Sequence, residues 1–466
     1  MSTLQPIIKD KLGDKCSSSN YRAIGGSSLL LKLIDNIVLI LFGDSFKLAE
    51  QQFGFQKSSS TTLCSWTVKE TINFFLNRDT PVYTCFLDLT KAFDLVNYSK
   101  LFQKLKQKIS PLFLRLLAVI YLNQKCDVRW NGCRSPQFDM LNGVKQGAIL
   151  SPTLFSIYID DLFYLLKSSG LGCYINEHFY GALSYADDIV LMSPSVVGLQ
   201  NMINLTKSYL DNLGLTISIN IINPDKSKTK CLAFGIKRDP LPLIAGQKHI
   251  PWTNKYVHLG HVFYKDGSSE IDCVEKSHTF MGKYHSLCQL LKLKDPMVYM
   301  KLINIYLCDF YGSNLWYLFG VAAEKFDIVW NKMIRFVFNL PFDCHRYLIE
   351  PLSHSSHLKT KLTDRFLKFF HSISCSHKDI IQNLFFLQVN DLRSDFGLNV
   401  HEICHSAKVE NICSVNRGDV KYHPIPENEK WRVDILNEII LILSQNLFLD
   451  FDKFHLKFLL DFLSAN

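Results

Sequence analysis

Two short apolar, β-favouring runs that end in carboxylates constrain this chain more than any other feature. VYTCFL, Val82 to Leu87, is bounded by Pro81 and Asp88, which is the pattern of a buried strand. ALSYA and IVLMS, Ala182 to Ala186 and Ile189 to Ser193, flank Asp187 and Asp188 as two strands flank a tight turn. Buried strands that end in carboxylates put fixed negative charge at a sheet edge. Hard cations could be held there by oxygen ligands and used for phosphoryl or nucleotidyl transfer. Taken singly, each motif also has a plain structural reading: Asp-Asp suits a turn and Asp88 suits a helix N-cap. The chemical reading therefore depends on what surrounds them.

At 466 residues the chain is long enough for roughly three domains of about 150 residues each. Hydrophobic types make up 47% of it, which excludes low-complexity disorder as the main architecture. Lys and Arg number 51 against 43 Asp and Glu, a net charge of +8. This modest excess is compatible with a polyanionic partner without requiring one. The 14 cysteines are scattered with no signal peptide before them, so they read as reduced intracellular thiols rather than a disulfide framework. Leu29 to Phe42 is interrupted by Lys32, Asp35 and Asn36, and Ile439 to Phe448 by Gln445 and Asn446. Both fall short of the roughly 20 residues that span a bilayer, so neither a transmembrane segment nor a cleavable leader is expected.

The opening stretch, Met1 to Asn20, is polar and suits an exposed loop or hairpin more than a core element. Helical apolar patterns follow at Ser28 to Phe42 and at Leu63 to Leu76, the second with Thr61 or Thr62 placed to cap it. After the strand at Val82, a helix is expected from Lys100 to Tyr121. CDVRW and the segment beyond Asn131-Gly132 then read as a hairpin. Ser151 before Pro152 supplies N-cap and N1 residue types for a helix running on to Gly170. A helix near Val197 to Leu213 and a strand-rich region to about Phe263 complete a mixed middle region. From about Glu270 strand signals thin out, and patterns such as MVYMKLINIYLCDFYGSNLW and EKFDIVWNKMIRFVFNL are helical.

FLDLTKAFDLV, NGVKQGAILSPTLFSIYIDDL, SYADDIVLM, PDKSKTKCLAF and YVHLG occur in that order. Together they resemble the successive palm motifs of reverse transcriptases, and most of all those of non-long-terminal-repeat (LINE-type, jockey-like) retrotransposons. QPIIKDKLGDKCSSSNYRAI and QFGFQKSSSTT look like that family's fingers motifs. YGSNLW and WNKMIRFVFNLPFDCHRYL look like its thumb and the region beyond. The likeness is strong from Asn20 to Phe263 and looser afterwards. It implies an α+β right-hand polymerase with partial fingers at 1–80, a palm at 81–265, a helical thumb at 266–345 and a helical C-terminal region at 346–466.

The same resemblance assigns roles. Asp88 and Asp187 would be the metal-bridging carboxylates and Asp188 the acid beside them, holding two Mg²⁺ ions. Asp160-Asp161 sits inside a helical pattern and reads as helix surface or cap. Phe93 stands where the family places the residue under the incoming sugar, and a ring there would collide with a 2′-hydroxyl and favour deoxynucleotides. Its plain reading is a core aromatic. Gln146 and Gly147 would approach the nucleotide or template base, and Arg22 with Lys9 would clamp the triphosphate, Lys11 and Lys15 being nearby alternatives to Lys9. Lys226 matches a lysine able to protonate pyrophosphate, and Leu259 with Gly260 matches the primer-grip turn. The partners implied are an RNA template, a DNA primer or target DNA and deoxynucleoside triphosphates, with no membrane. The implied place is intracellular, in the nucleus and a cytoplasmic ribonucleoprotein.

Ala23, Ile24 and Gly25 stand where the family usually has Pro and then Ser after the NYR arginine. The chain also opens directly on the first fingers motif, which implies a truncated copy or part of a larger element. His371, Cys375, His377, His401, Cys404, His405 and Cys413 lack a paired C-x₂-C spacing and read as scattered structural residues rather than zinc ligands. The expected function is RNA-directed DNA polymerisation. A catalytically silent nucleic-acid-binding remnant is the alternative, and an RNA-dependent RNA polymerase is disfavoured by Phe93 and by Tyr185-Ala186.

Overall fold

The computed structural model describes residues 2–406 apart from 12, 221, 237–239 and 292–294. The apolar run at Ile439 to Phe448 and Cys413 lie outside the described residues. Strand β1 (Ser2–Ile8) pairs antiparallel with β2 (Tyr21–Gly26), Ile7 opposite Arg22. The opening stretch is thus the hairpin of the two alternatives, and β1 holds an interior place in a sheet. Helix α1 (Leu29–Phe42) starts on Ser28, whose hydroxyl accepts from the Leu31 amide at 3.3 Å. For α2 (Thr61–Leu76) the cap is Ser60, accepting from the Leu63 amide at 3.0 Å, rather than Thr61 or Thr62. In a Ser-Ser-Ser-Thr-Thr run every member has a hydroxyl to offer, and the tertiary position of the helix decides which one caps.

Strand β3 (Val82–Leu87) has the limits the sequence predicts. The single helix expected from Lys100 to Tyr121 is instead two, α3 (Tyr98–Leu105) and α4 (Pro111–Leu122). Pro111 lacks an amide hydrogen and clashes with a preceding turn, but its fixed φ suits a helix start. Strands β4 (Lys125–Trp130), β5 (Cys133–Arg134) and β6 (Phe138–Asp139) follow. Asn131 and Gly132 turn the β4–β5 hairpin with φ of 45° and 82°, the two left-handed positions that such turns require. Because β4 runs parallel to β1, the first sheet has the order β2-β1-β4-β5, with β6 also on β4.

The helix expected from Ser151 to Gly170 is interrupted only at Asp160, between α5 (Ser151–Ile159) and α6 (Asp161–Ser168), where the backbone keeps helical angles, and Gly170 follows its end with φ of 69°. At the break the Asp160 carboxylate is buried and accepts from the Ala49 amide at 2.8 Å and from Gln52 Nε2 at 2.6 Å. Asp160 is therefore an internal fastening between distant segments, and only Asp161 is a surface residue, paired with Lys104. A small hairpin of β7 (Tyr174–Ile175) and β8 (His178–Phe179) leads into β9 (Ala182–Tyr185) and β10 (Asp188–Ser193). Then come α7 (Val196–Leu213), β11 (Lys230–Phe234), β12 (Leu243–Ala245) with β13 (Lys248–Ile250), and β14 (Lys255–His258) with β15 (His261–Tyr264).

Beyond β15 the described residues are helical: α8 (Glu270–Leu290), α9 (Pro296–Tyr306), α10 (Val321–Phe338), α11 (Arg346–Ser353), α12 (Leu358–Ser374), α13 (Asp379–Gln388) and α14 (Asp395–Ser406). The helical pattern through YGSNLW stops at Tyr306, and that motif forms a turn and a short 3₁₀ segment.

The central sheet has the order β11-β3-β10-β9, antiparallel throughout. Its side chains alternate between two cores. Val82, Phe86, Val190, Met192 and Leu232 join α2 and the C-terminal helices, while Cys85, Leu87, Ile189, Leu191 and Cys231 join α3, α5 and α7. Both faces are covered, which is why these strands read as continuous apolar runs rather than as an alternation with polar residues.

Glu70 of α2 is buried, and burial pushes its carboxyl up to about 7 from an ordinary 4.5; Lys69 opposes the shift, and Asp395 and Asp391 add to it. Asn73 also faces it as a hydrogen-bond partner. The folded state then holds a proton that the unfolded chain has lost, so this group's contribution to stability falls as pH rises from about 4.5 to about 7. Glu70→Gln should flatten that dependence: relative to the wild type, its Tm should rise between about pH 5 and pH 8, with a full effect of about 3 kcal/mol at most. Parallel melting profiles across that range would show that Glu70 is ionised in the fold.

Candidate active site

The antiparallel register sets Leu87 opposite Ile189, so that Asp88, just past the end of β3, stands opposite Asp188 at the start of β10. Facing positions of such a pair hold their Cβ atoms about 5 Å apart. Asp188 pairs with Tyr185 across the hairpin, leaving Ala186 and Asp187 as the turn residues. Only Asp187 is therefore at the tip, since Asp188 belongs to the strand.

Ala186 takes φ of 56°, a left-handed conformation easier for glycine. The turn is buttressed by the QFGFQ segment, which runs along β9: the Phe53 amide donates to Ser184 O at 2.8 Å and the Ser184 amide to Gln51 O at 2.9 Å. A Cβ on Gly54 would stand 2.4 Å from the Ala186 nitrogen. Gly54 is thus required by close backbone approach to the acidic turn. A glycine between two aromatic residues was the available sequence signal, but it does not say what lies opposite.

The acids strain one another electrostatically. Burial, then the charges of Asp187 and Asp88, push Asp188 up to about 7, with Lys228 opposing. Asp187 is also raised, first by burial and then by Asp88, with Lys228 and Arg22 opposing. The backbone of Asp88 is fixed by Thr229 Oγ1, which meets its amide at 3.1 Å, and by the Ser218 amide, which donates to its carbonyl at 2.8 Å.

Positive charge arrives from separate segments. Lys228 Nζ lies 3.4 Å from the Asp88 carboxylate. Lys9 is pushed below its usual value by burial and then by Lys228, Arg22 and Lys91, so these four cations share one region. Lys9 and Arg22 stand near each other because the β1–β2 register brings Ile7 opposite Arg22, and the Lys9 amide bonds to Asn20 O at 2.8 Å. Lys226 is exposed in the short 3₁₀ turn at Pro224–Lys226, and it is Lys228, two residues on, that reaches Asp88. Lys91 and Lys228 are residues the sequence reading missed. Lys91 lies within FLDLTKAFDLV, while nothing in PDKSK itself distinguishes Lys228 from Lys226.

Phe93 lies in a 3₁₀ turn, Ala92–Leu95, half-buried, with its ring stacked on Phe155 at 4.8 Å between centroids. It is both a packed aromatic and a partly open one. Gln146 Nε2 approaches Asp94 Oδ1 at 3.4 Å, and Gln146 O accepts from the Gly25 amide at 2.7 Å. Gly147 has φ of 104°, and a Cβ there would meet Gly25 O at 3.2 Å. The Ala23-Ile24-Gly25 departure from the family pattern thus continues β2 and docks it on the Gln146-Gly147 turn.

Leu259 and Gly260, with φ of 49° and 79°, turn the β14–β15 hairpin. That hairpin reaches the acids through Tyr256, whose ring stacks on Phe86 at 4.3 Å and whose hydroxyl donates to Lys228 O at 2.9 Å. Tyr256, Asp88, Asp188, Lys228 and Lys255 line one open cleft.

The donor set is hard oxygen, and Asp88 Oδ2, though buried, accepts no hydrogen bond. These features suit divalent cations bound through carboxylates. Among the described residues no three His, Cys, Asp or Glu side chains are gathered tightly enough to hold a metal ion. No helix of the described residues is long and apolar enough to cross a membrane.

Comparison with known proteins gives this geometry its context. Residues 8–263, more than half of the chain, match the reverse transcriptase (RNA-dependent DNA polymerase) family. The RNA-directed DNA polymerase from mobile element jockey of Drosophila funebris is 26% identical over 326 residues, covering 67% of this chain and 34% of that protein. The Pol polyprotein from the type-2 retrotransposable element R2DM of Drosophila melanogaster is 26% identical over 222 residues, covering 47% of this chain and 20% of that protein. The chain thus spans about a third and a fifth of the lengths of these two relatives. Among solved structures, telomerase from Candida albicans in complex with a fragment of telomeric RNA is similar over 89% of this chain and 65% of that one, with 12% identity and a TM-score of 0.40. The chain belongs to the reverse transcriptase (RNA-dependent DNA polymerase) family, and the relatives it matches include polymerases of non-long-terminal-repeat retrotransposons.

Proposed function

We propose that this chain is the RNA-directed DNA polymerase of a non-long-terminal-repeat retrotransposon, extending a DNA 3′ end on an RNA template in target-primed reverse transcription. The observation that carries the proposal is the β3–β10 register, which sets Asp88 opposite Asp188 with Asp187 on the adjoining turn. In this reading fingers, palm and thumb occupy 1–80, 81–265 and 266–345, followed by a C-terminal region from 346.

Asp88, Asp187 and Asp188 would hold two Mg²⁺ ions, which lower the pKa of the primer 3′-hydroxyl and screen charge on the departing pyrophosphate. Lys9 and Arg22 bind the triphosphate, Arg22 as a guanidinium fork and Lys9 as a point charge, with Lys91 adding to the same field. The Gln146-Gly147 turn and the Phe93 ring bound the nucleotide on the sugar side. Leu259 and Gly260 position the primer end.

Primer extension with Mg²⁺, an RNA template, a DNA primer and deoxynucleotides tests the reading. Asp88→Ala or Asp187→Ala should abolish extension and leave template–primer affinity within about twofold, because affinity rests on many dispersed phosphate contacts. An inactive wild type that still binds template–primer would favour the silent-remnant alternative instead.

A lysine able to donate a proton to a pyrophosphate oxygen is part of the family likeness at Lys226, and proximity to Asp88 favours Lys228 for it. Lys228→Ala should therefore lower kcat by about 10²-fold, in the range of general-acid contributions, and Lys226→Ala by much less. The reverse order would return the role to Lys226.

Phe93→Val should raise the ratio of ribonucleotide to deoxynucleotide kcat/KM by about 10- to 100-fold, the scale of steric selection by a pocket wall. Because the ring also stacks on Phe155, some loss of Tm should accompany the gain. Equal loss of both activities with no change in the ratio would leave Phe93 as packing alone.

A further inference from the structure

The turn at Leu259-Gly260 is held from outside its own hairpin, and both of its carbonyls are taken. Leu259 O accepts from the Tyr311 hydroxyl at 2.6 Å, and Gly260 O accepts from Lys276 Nζ at 3.0 Å. A phenol has one hydrogen, so with that hydrogen on Leu259 O, Thr61 Oγ1, 2.9 Å away, donates its own to the phenol oxygen. Thr61 is the first residue of α2, Lys276 belongs to α8, and Tyr311 lies between α9 and α10. One hydroxyl therefore joins the turn to two separate parts of the helical framework.

The local backbone is shaped to present that ring. Phe310 has φ of 38° and Gly312 of 96°, so Tyr311 stands between two left-handed residues. The strain at Phe310, a position where a non-glycine residue is disfavoured, is held by burial of its ring against Phe280, Phe326 and Trp330. Gly312 has the left-handed φ that favours glycine, and a side chain there would be crowded, since a Cβ would stand 3.1 Å from Asp272 Oδ2 and 3.2 Å from His261 Nδ1. The Tyr311 ring stacks on His261 at 4.8 Å, and a Cβ on Gly260 would come within 2.9 Å of it. The other end of the same hairpin touches the acidic site: Tyr256 stacks on Phe86, two residues before Asp88, and bonds to Lys228 O.

We propose that Tyr311 is a positioning residue which, together with Thr61 and Lys276, sets the height of the Leu259-Gly260 turn over the carboxylates and so the placement of a primer 3′ end. This rests on the polymerase reading for the identity of the strand, and on the geometry above for the latch. A ring that only filled space would keep its function without the hydroxyl. A latch would not.

The full chain with Tyr311→Phe keeps the ring and loses the bond, and Thr61→Val removes the second partner. Two readouts do not require catalysis: amide hydrogen exchange of the 259–262 segment, and fluorescence of a 2-aminopurine at the primer 3′ terminus in the bound template–primer. Both variants should exchange that segment about fivefold faster, on the scale of one hydrogen bond, and alter the terminal fluorescence. Overall template–primer affinity should stay within about twofold. In primer extension the fraction of bound primer extended in a single turnover should fall while the nucleotide KM holds. Unchanged exchange and fluorescence in Tyr311→Phe would overturn the latch even in an active enzyme. A wild type that extends no primer would instead overturn the polymerase reading, and the exchange result would still decide the latch.

Discussion

The antiparallel pairing of β3 with β10 is the contact on which the rest of this protein depends. It fixes Leu87 opposite Ile189 and thereby Asp88 opposite Asp188. A slip of one residue would turn every side chain of the strand to the other face, exchanging the partners of two cores and drawing the carboxylates apart. The register is set by burial. Val190 and Met192 belong with α2 and the C-terminal helices, Ile189 and Leu191 with α3, α5 and α7, and neither set is interchangeable with the other.

That arrangement concentrates negative charge in half-buried carboxylates, and the molecule answers it with cations from segments far apart in sequence. Lys228 follows a 3₁₀ turn, Lys9 and Arg22 come from the first hairpin, and Lys91 lies just after Asp88. Lys9 is pushed below its usual value by burial and then by the charges of Lys228, Arg22 and Lys91, so the cations crowd it as the carboxylates crowd one another.

Much of the framework was legible in the sequence because it rests on local rules. VYTCFL forms a strand with the limits its apolar run implies, Asn131-Gly132 makes its turn, and the order of motifs leads to the family. The misreadings are equally physical. The Lys100 to Tyr121 pattern runs through Pro111, which starts a second helix, and the Ser151 to Gly170 helix is interrupted at Asp160, whose carboxylate has partners at Ala49 and Gln52, more than a hundred residues away. Asp160-Asp161 looks like a uniform acidic pair, yet one member is buried and the other exposed. No periodicity distinguishes them.

The sequence by itself determined the family and the two strands that run up to Asp88 and to the Asp187-Asp188 turn, since these depend on short-range pattern and on turn chemistry. Only the tertiary structure decided which lysine meets Asp88, why Gly54 must lack a side chain, and that the Leu259-Gly260 turn is tied to Tyr311 and Thr61. Those facts are distances between segments separated by tens to hundreds of residues. They are fixed when two buried faces pack in one register, and composition and spacing along a chain carry no direct measure of that.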